Sequence, residues 1–220
     1  MKVGVFAGTS VDTQLGVDLL KSRKIESLSF PMSVNPKEQT KMQYYSKEKL
    51  EEIFIKKARL GIKQGMDKIF IYCNSLSSAI DCEKIQKLLN IPLITPLDAY
   101  KNINPSYKNV AIFAANGISA YKVDKIILES RDDINTISIG NLSIVMAIER
   151  KDDPEKIIDD MNLKVLLSYL EGIKDPKYKI DAIVLACTHF PYLKNSLKRY
   201  TKLDIIDPAD YMINKLLEID

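Results

Sequence analysis

Short runs of hydrophobic residues alternate with amphipathic stretches along the whole chain. Continuous runs rich in Val and Ile are typical of parallel strands that are covered on both faces. Stretches with apolar residues three and four positions apart are typical of helices that bury one side. Because the order strand, turn, helix recurs from the beginning to the end, the pattern predicts an α/β protein with mainly parallel sheets.

The boundaries of these elements follow from the turn and capping residues. The predicted strands cover residues 2–7, 25–30, 68–72, 91–94, 109–115, 134–139, 180–186 and 203–206. The predicted helices cover residues 11–22, 47–65, a stretch after residue 73, 119–130, 154–172, 191–200 and 209–217. The polar segment 31–45 contains two prolines and is predicted as a loop.

The second half of the chain repeats three landmarks of the first half. A V-x-[V/I]-F-A run stands at 3–7 and 110–114, a D-x-I-x-x-x-C run at 67–73 and 181–187, and an I-x-P run at 94–96 and 206–208. The offsets are 107, 114 and 112 residues. Buried parallel strands are generally rich in Val and Ile, so unrelated strands can look alike. Three landmarks in the same order nevertheless favour a duplication.

The duplication predicts two pseudo-symmetric α/β domains with the active site in the cleft between them. We place the first domain at residues 1–96 and the second at 97–204, with segment 205–220 a candidate to pack back on the first domain.

Two cysteines occupy matched places in the repeat. Cys73 and Cys187 each end an apolar run and lead into polar residues. Ligands of open α/β sheets bind at the carboxyl ends of the strands. Burial in the core is the ordinary alternative for a cysteine, but the matched positions favour a functional pair.

The chemistry of the pair is proton transfer. His189, the only histidine, lies two residues after Cys187. Both an imidazolium and a helix N-terminus lower the pKa of a cysteine. One thiolate could then remove a proton from one face of a carbon while an opposed thiol returns one to the other face, which inverts the stereocentre.

The candidate catalytic residues are therefore Cys73, Cys187 and His189. Short hydrogen-bonding residues near these positions, or near the first strand of each half, are the candidate substrate-binding residues: Thr9, Ser10, Asn74, Ser75, Ser119 and Thr188. Cys82 has no counterpart in the repeat, and packing within a helix is the default for it.

Composition and charge exclude several classes of function. The chain is 46% hydrophobic and 28% charged with a net charge of +3, and its basic residues are scattered, so we expect neither nucleic acid nor a membrane as a partner. The amino terminus is predicted as a strand and not as a signal peptide. Three cysteines without scaffold-like spacing favour reduced thiols and a cytoplasmic location. No metal site or nucleotide-binding motif is predicted.

The two cysteine motifs resemble those of the aspartate/glutamate racemase superfamily, and glutamate racemase most of all. The family's signatures are Cys-Asn-[Thr/Ser] in the first half and Cys-Thr-[His/Glu] in the second, which here are Cys73-Asn74-Ser75 and Cys187-Thr188-His189. The resemblance implies two α/β domains, no cofactor, a small amino-acid substrate, a homodimer and inversion by two bases, Cys73 and Cys187.

Two other family motifs differ in this chain. The family's Asp-Ser-Gly after the first strand aligns with Ala7-Gly8-Thr9, so the acidic helper of the first cysteine is missing. The family's Pro-Tyr-Gly loop, which holds a substrate carboxylate, aligns with Pro31, Met32 and Ser33, and Glu38 keeps a later acidic position. The resemblance makes these three residues candidate substrate-binding residues.

These departures keep alternatives open. Glutamate is the first candidate substrate and aspartate the second. A related cofactor-independent isomerase, for example a hydantoin racemase, and a non-catalytic small-molecule-binding homologue are the alternatives. A redox role for the two thiols is disfavoured, because bases on opposite sides of a substrate are too far apart to form a disulfide.

Overall fold

A computed structural model describes residues 1–42 and 44–219 of the chain. The chain divides into two compact units, one made of Met1–Leu97 with Ala209–Asp220 and the other of Asp98–Pro208. Each unit contains one four-stranded parallel sheet with helices packed against it. The predicted α/β class with mainly parallel sheets is confirmed.

The two sheets have the same topology. The first contains β1 (Lys2–Ala7), β2 (Glu26–Pro31), β3 (Lys68–Ile71) and β4 (Leu93–Ile94) in the order β2-β1-β3-β4. The second contains β5 (Asn109–Ala114), β6 (Asn135–Gly140), β7 (Ala182–Ala186) and β8 (Asp204–Ile206) in the order β6-β5-β7-β8. The first strand of each sheet pairs in parallel with two neighbours, so it lies in the interior of the sheet.

The helices follow the strands in chain order. They are α1 (Ser10–Ser22), α2 (Pro36–Met42), α3 (Lys47–Lys63), α4 (Asn74–Ser77), α5 (Cys82–Leu89), α6 (Leu97–Lys101), α7 (Gly117–Ser130), α8 (Leu142–Glu149), α9 (Pro154–Asp160), α10 (Leu163–Glu171), α11 (Lys194–Leu197) and α12 (Pro208–Glu218). A 3-10 helix, Phe190–Leu193, comes directly before α11. Among the described residues, the apolar stretch of each helix is too short to cross a bilayer.

An aspartate anchor at the amino end of each sheet supports the repeat. The carboxylate of Asp67 accepts hydrogen bonds from the backbone N–H of Lys2 at 3.1 Å. The carboxylate of Asp181 accepts from the N–H groups of Lys108 and Asn109 at 2.7 and 3.0 Å. The aspartate of each D-x-I-x-x-x-C run therefore ties the cysteine strand to the first strand of its own sheet.

The end of the chain divides between the two units. Segment 205–220 was expected as a candidate to pack back on the first domain. Strand β8 instead pairs with β7 in the second sheet. Helix α12 buries Met212, Ile213 and Leu216 in the core of the first unit.

Several predicted helices differ from the structure. Segment 31–45, predicted as a loop, contains α2, and α8 was not predicted at all. The predicted helix 154–172 is divided into α9 and α10, because Asn162 adopts a left-handed backbone with φ of 52°. The predicted helix after Cys73 is also divided, into α4 and α5.

Candidate active site

Cys73 lies two residues beyond the last residue of β3, in extended backbone that caps α4. Its Sγ is 3.3 Å from the hydroxyl of Ser75, and the side-chain amide of Gln39 donates to Sγ at 3.5 Å. The same amide donates to the Ser75 hydroxyl at 3.4 Å. The thiol is 2% exposed. Cys73 is thus a buried thiol, and the side-chain amide of Gln39 and the hydroxyl of Ser75 contact its sulfur.

A small apolar pocket adjoins this thiol. Methionine, leucine and alanine side chains supply most of its wall. The full lining is Gly8, Met32, Gln39, Met42, Leu50, Cys73, Ser75, Leu76 and Ala79. Predicted site residues Met32 and Ser75 are therefore next to Cys73, together with Gln39, which the sequence did not point to. Apolar walls exclude water and strengthen the polar contacts inside.

The end of β1 brings further predicted residues to the same edge. Thr9 caps α1 by accepting from the N–H of Asp12 at 3.1 Å, and the Asp12 carboxylate accepts from the N–H of Gly8 at 3.0 Å. The Ser33 hydroxyl donates to the carbonyl of Gly8 at 2.6 Å. Thr9 and Ser33 therefore have structural hydrogen bonds, while Ser10 is exposed on the first turn of α1.

Pro31 is the last residue of β2, and its carbonyl accepts from Nζ of Lys57 at 2.8 Å. Glu38 caps α2, because its carboxylate accepts from the N–H of Val34 while its own N–H donates to the side chain of Asn35. The acidic position that the resemblance singled out is thus engaged in holding α2.

Cys187 lies directly beyond the carboxyl end of β7, in the place that corresponds to Cys73. Its Sγ is 3.7 Å from Nδ1 of His189. Nε2 of His189 is 2.7 Å from Oε1 of Glu149, the last residue of α8. Cys187 and His189 are 6% and 2% exposed. The second unit therefore holds a series of a buried thiol, a buried imidazole and a partly buried carboxylate.

The order of these three groups fixes what each can do. A carboxylate can only accept, so the proton between Glu149 and His189 resides on Nε2. Nδ1 then faces the sulfur, where it either accepts from the thiol or, in the imidazolium, donates to the thiolate. The series can move a proton onto and off Cys187 without rotation of the ring.

The remaining predicted residues of both units lie near strand ends. Asn116, directly after β5, caps α7 by accepting from the N–H of Ser119 at 2.9 Å. Ser119 is buried, and its hydroxyl has no hydrogen-bond partner among the described residues. Asn74 and Thr188, the residues after the two cysteines, are also buried. Each is placed at the carboxyl edge of its own sheet.

Two residues of the site were missed because they are distant in sequence from the cysteine motifs. Gln39 lies on α2 and Glu149 on α8, two of the helices that the sequence pattern did not predict. The signals available were Asn35 and Glu38 at capping distance around Pro36, and Asn141 before the apolar run of α8. Within residues 1–42 and 44–219, no group of three His, Cys, Asp or Glu side chains is arranged to hold a metal ion.

Comparison with known proteins identifies relatives among the racemases. No family model matches the chain. The chain is 28% identical over 180 residues to a glutamate racemase of Hydrogenobaculum, covering 79% of this chain and 66% of that protein. It is 24% identical over 163 residues to a glutamate racemase of Fusobacterium nucleatum, covering 71% of this chain and 58% of that one. The chain thus spans about 58 to 66% of the length of these two curated relatives.

Solved structures share the fold. Glutamate racemase from Francisella tularensis, in complex with D-glutamate, matches with a TM-score of 0.69 at 21% identity and covers 99% of this chain and 81% of its own. An aspartate racemase homologue from Pyrococcus horikoshii matches with a TM-score of 0.67 at 15% identity and covers 99% and 98%. The comparisons support the resemblance inferred from the two cysteine motifs: the chain is similar in sequence to curated glutamate racemases and shares the fold of glutamate and aspartate racemase structures.

Proposed function

We propose that the chain is a cofactor-independent amino-acid racemase that interconverts the L and D forms of glutamate, or of aspartate, with Cys73 and Cys187 as its two bases. The observation that carries the proposal is the placement of the two thiols. Each lies at the carboxyl end of the equivalent strand of two sheets with the same topology. The likeness to glutamate racemases supports the same reaction class.

The proposed reaction moves one proton off Cα and another onto it. One cysteine, as thiolate, removes the α-proton from one face, and the electron pair of the C–H bond passes into the carboxylate of the substrate. The other cysteine, as thiol, gives a proton to the opposite face. The enzyme is left with the two protonation states exchanged, ready for the reverse reaction.

The polar groups around the thiols suit this reaction. The carbanion next to a carboxylate is of high energy, so hydrogen-bond donors aimed at the developing charge contribute several kcal/mol. Asn74, Ser119 and Thr188 are buried donors near the strand ends and are proposed to hold the carboxylate. His189, backed by Glu149, is proposed to exchange the proton of Cys187.

Deuterium incorporation tests the two-base reaction. L- and D-glutamate and L- and D-aspartate are incubated separately with the protein in D2O, without pyridoxal phosphate, and the α-proton is followed by NMR. We expect solvent deuterium in the newly formed enantiomer at early times, while the recovered starting enantiomer stays unlabelled. If none of the four amino acids acquires deuterium, the assigned substrates are wrong.

Replacement of each cysteine identifies the bases. Cys73→Ser and Cys187→Ser are each expected to lower racemisation about a hundredfold to ten-thousandfold, the range that a general acid or base contributes. Cys82→Ser is the matched control, because Cys82 is half-buried and its thiol donates to the carbonyl of Ser77. Full activity of either Cys73→Ser or Cys187→Ser contradicts the proposed mechanism.

A second candidate substrate class is favoured by Met32. This residue replaces the tyrosine of the family's carboxylate-binding loop and lines the apolar pocket beside Cys73. A substrate with an uncharged side chain, such as a substituted hydantoin, fits such a lining. Exchange into hydantoins and none into acidic amino acids would support this candidate and replace the first.

The homodimer and the cytoplasmic location belong to the same proposal. Light scattering after size-exclusion chromatography is expected to give about twice the chain mass of 25.0 kDa. A mass of 25.0 kDa at all concentrations contradicts the dimer.

A further inference from the structure

We propose that Gln39 positions and ionises Cys73 by donating its side-chain N–H to the thiolate, in a chain that has Ala7 where the resembled family has the aspartate that assists the first cysteine. The proposal rests on the function proposed above in so far as Cys73 is one of the two bases. It concerns a residue outside both cysteine motifs and names Gln39 as a positioning residue.

The first observation is the contact itself. Nε2 of Gln39 is 3.5 Å from Sγ of Cys73 and 3.4 Å from the hydroxyl of Ser75. The Ser75 hydroxyl is in turn 3.3 Å from the sulfur. The amide and the hydroxyl therefore converge on one sulfur atom. An amide donor stabilises the charged form of its acceptor, because a hydrogen bond to an ion is roughly twice as strong as one between neutral groups.

The second observation is the space that Gly8 leaves for the amide. A Cβ on Gly8 would lie 1.9 Å from Nε2, 2.2 Å from Cδ and 2.6 Å from Oε1 of Gln39. The amide thus occupies the volume next to the end of β1 that the missing side chain of Gly8 leaves open. Any side chain at position 8 would displace it from the sulfur.

The third observation is the setting of the contact. The pocket around the amide is formed by Met32, Met42, Leu50 and Leu76. These side chains keep water away from the sulfur, and a hydrogen bond gains strength when water cannot compete for it. The helix that carries Gln39 is fixed at its start by two hydrogen bonds of Glu38: its N–H donates to the side chain of Asn35, and its carboxylate accepts from the N–H of Val34. The amide of Gln39 is therefore held by a helix whose first turn is fixed.

Thiol reactivity tests the proposal without use of the racemase reaction. Cys73 is alkylated with iodoacetamide over a range of pH, and the modified Cys73 peptide is quantified by mass spectrometry. In Gln39→Met, which keeps the length but removes the donor, the pH of half-maximal alkylation rate is expected to rise by about one. A substitution that changes only the access of iodoacetamide to the sulfur alters the maximal alkylation rate but does not shift the pH of half-maximal rate.

Two further variants separate position from packing. Gly8→Ala keeps Gln39 but pushes its amide away, so it is expected to raise the midpoint as Gln39→Met does. Gln14→Leu is the matched control, because Gln14 lies exposed on α1 and bonds Asp18. Its midpoint is expected to equal that of the wild-type chain.

The outcomes distinguish this proposal from the proposed function. A raised midpoint in Gln39→Met and Gly8→Ala supports the role of Gln39, whichever substrate the protein acts on. An unchanged or lowered midpoint in Gln39→Met overturns it, even if the wild-type chain racemises glutamate. Where racemisation is measurable, the limb of its pH profile that reports Cys73 is expected to move with the alkylation midpoint.

Discussion

At the scale of single residues, the two thiols have different kinds of partner. The sulfur of Cys73 contacts the amide of Gln39 and the hydroxyl of Ser75, and that of Cys187 contacts an imidazole backed by a carboxylate. An amide or hydroxyl donor can stabilise a thiolate by a hydrogen bond, whereas an imidazole can also take up the proton of the thiol or return it. The two positions are matched in topology and unequal in chemistry.

Replacement of Glu149 is expected to weaken the Cys187 side alone. Glu149→Gln keeps the size of the side chain but removes the charge that holds the proton on Nε2 of His189. A hydrogen bond to a charged group is worth about 2 kcal/mol, so we expect the racemisation rate to fall about thirtyfold. Steady-state rates from both enantiomers measure it.

The control for this substitution is Glu129→Gln. Glu129 is exposed on α7 and pairs with Lys125 at 3.6 Å, far along the helix from its amino end. The Glu129→Gln substitution removes one negative charge from the second unit, as Glu149→Gln does, and is expected to leave the racemisation rates unchanged. Equal rates for Glu149→Gln and the wild-type chain would show that His189 does not need the carboxylate.

At the scale of elements, α3 and α5 are tied by a buried carboxylate. Glu51 on α3 is 4% exposed and accepts from Nζ of Lys84 at 2.7 Å and from the N–H of Asp81 at 3.0 Å. The hydrogen bond from Lys84 holds the pKa of Glu51 below its ordinary value of 4.5. Because the folded state favours the ionised form, this contribution to stability exists at neutral pH and is lost as the pH falls through the lowered pKa.

The Glu51→Gln variant is therefore expected to lose about 1 to 2 kcal/mol of unfolding free energy at pH 7. The difference in unfolding free energy between this variant and the wild-type chain should be the same at pH 6 as at pH 7. It should shrink when the pH falls below about 4. Urea unfolding at each pH measures it, with Glu52→Gln, an exposed neighbour, as the control for loss of charge. A difference that is constant down to pH 3 is incompatible with this role of the carboxylate.

The elements also show which parts of the fold the sequence reveals. Strands β1, β3, β5 and β7 were predicted within one or two residues at each end, because their apolar runs are continuous and bounded by turn residues. Helix α2 has mostly polar residues and α8 mostly apolar ones, so neither shows the alternation that marks an amphipathic helix. Gln39 and Glu149 lie on these two helices and were missed with them.

The residues of the cysteine motifs could be predicted because they follow strands with a clear sequence pattern. Cys73 and Cys187 follow strands that are visible in the sequence, and parallel strands bring their carboxyl ends to one edge of a sheet. Partners such as Gln39 reach that edge from distant segments. Their contacts depend on how a helix packs, which local pattern does not encode.

At the scale of the whole molecule, each unit has a separate hydrophobic core. Leu216 on α12 is buried in the core of the first unit, and Leu167 on α10 is buried in the core of the second. Leu216→Ala is expected to lower the unfolding free energy of the first unit by about 3 kcal/mol, since it leaves a cavity. Native-state hydrogen exchange measures each unit separately.

Leu167→Ala is the reciprocal variant. It is expected to raise the exchange rates of amides in β5 and β7 and to leave those of β1 and β3 as they are. Leu216→Ala is expected to do the reverse, although α12 follows the second unit in the chain. Faster exchange in β5 and β7 on substitution of Leu216 would place α12 with the second core instead.

The missing side chain at Gly8 also constrains how relatives of this chain can differ. Because Gly8 has no side chain, the amide of Gln39 can fill the space beside it. A side chain at position 8 would therefore exclude a side chain as long as glutamine at position 39. Substitutions at the two positions should therefore appear together across homologous sequences, as a compensated pair. A homologue that regains a residue with a Cβ at position 8 is expected to carry a shorter residue at position 39, and its first cysteine must then take its partner from elsewhere.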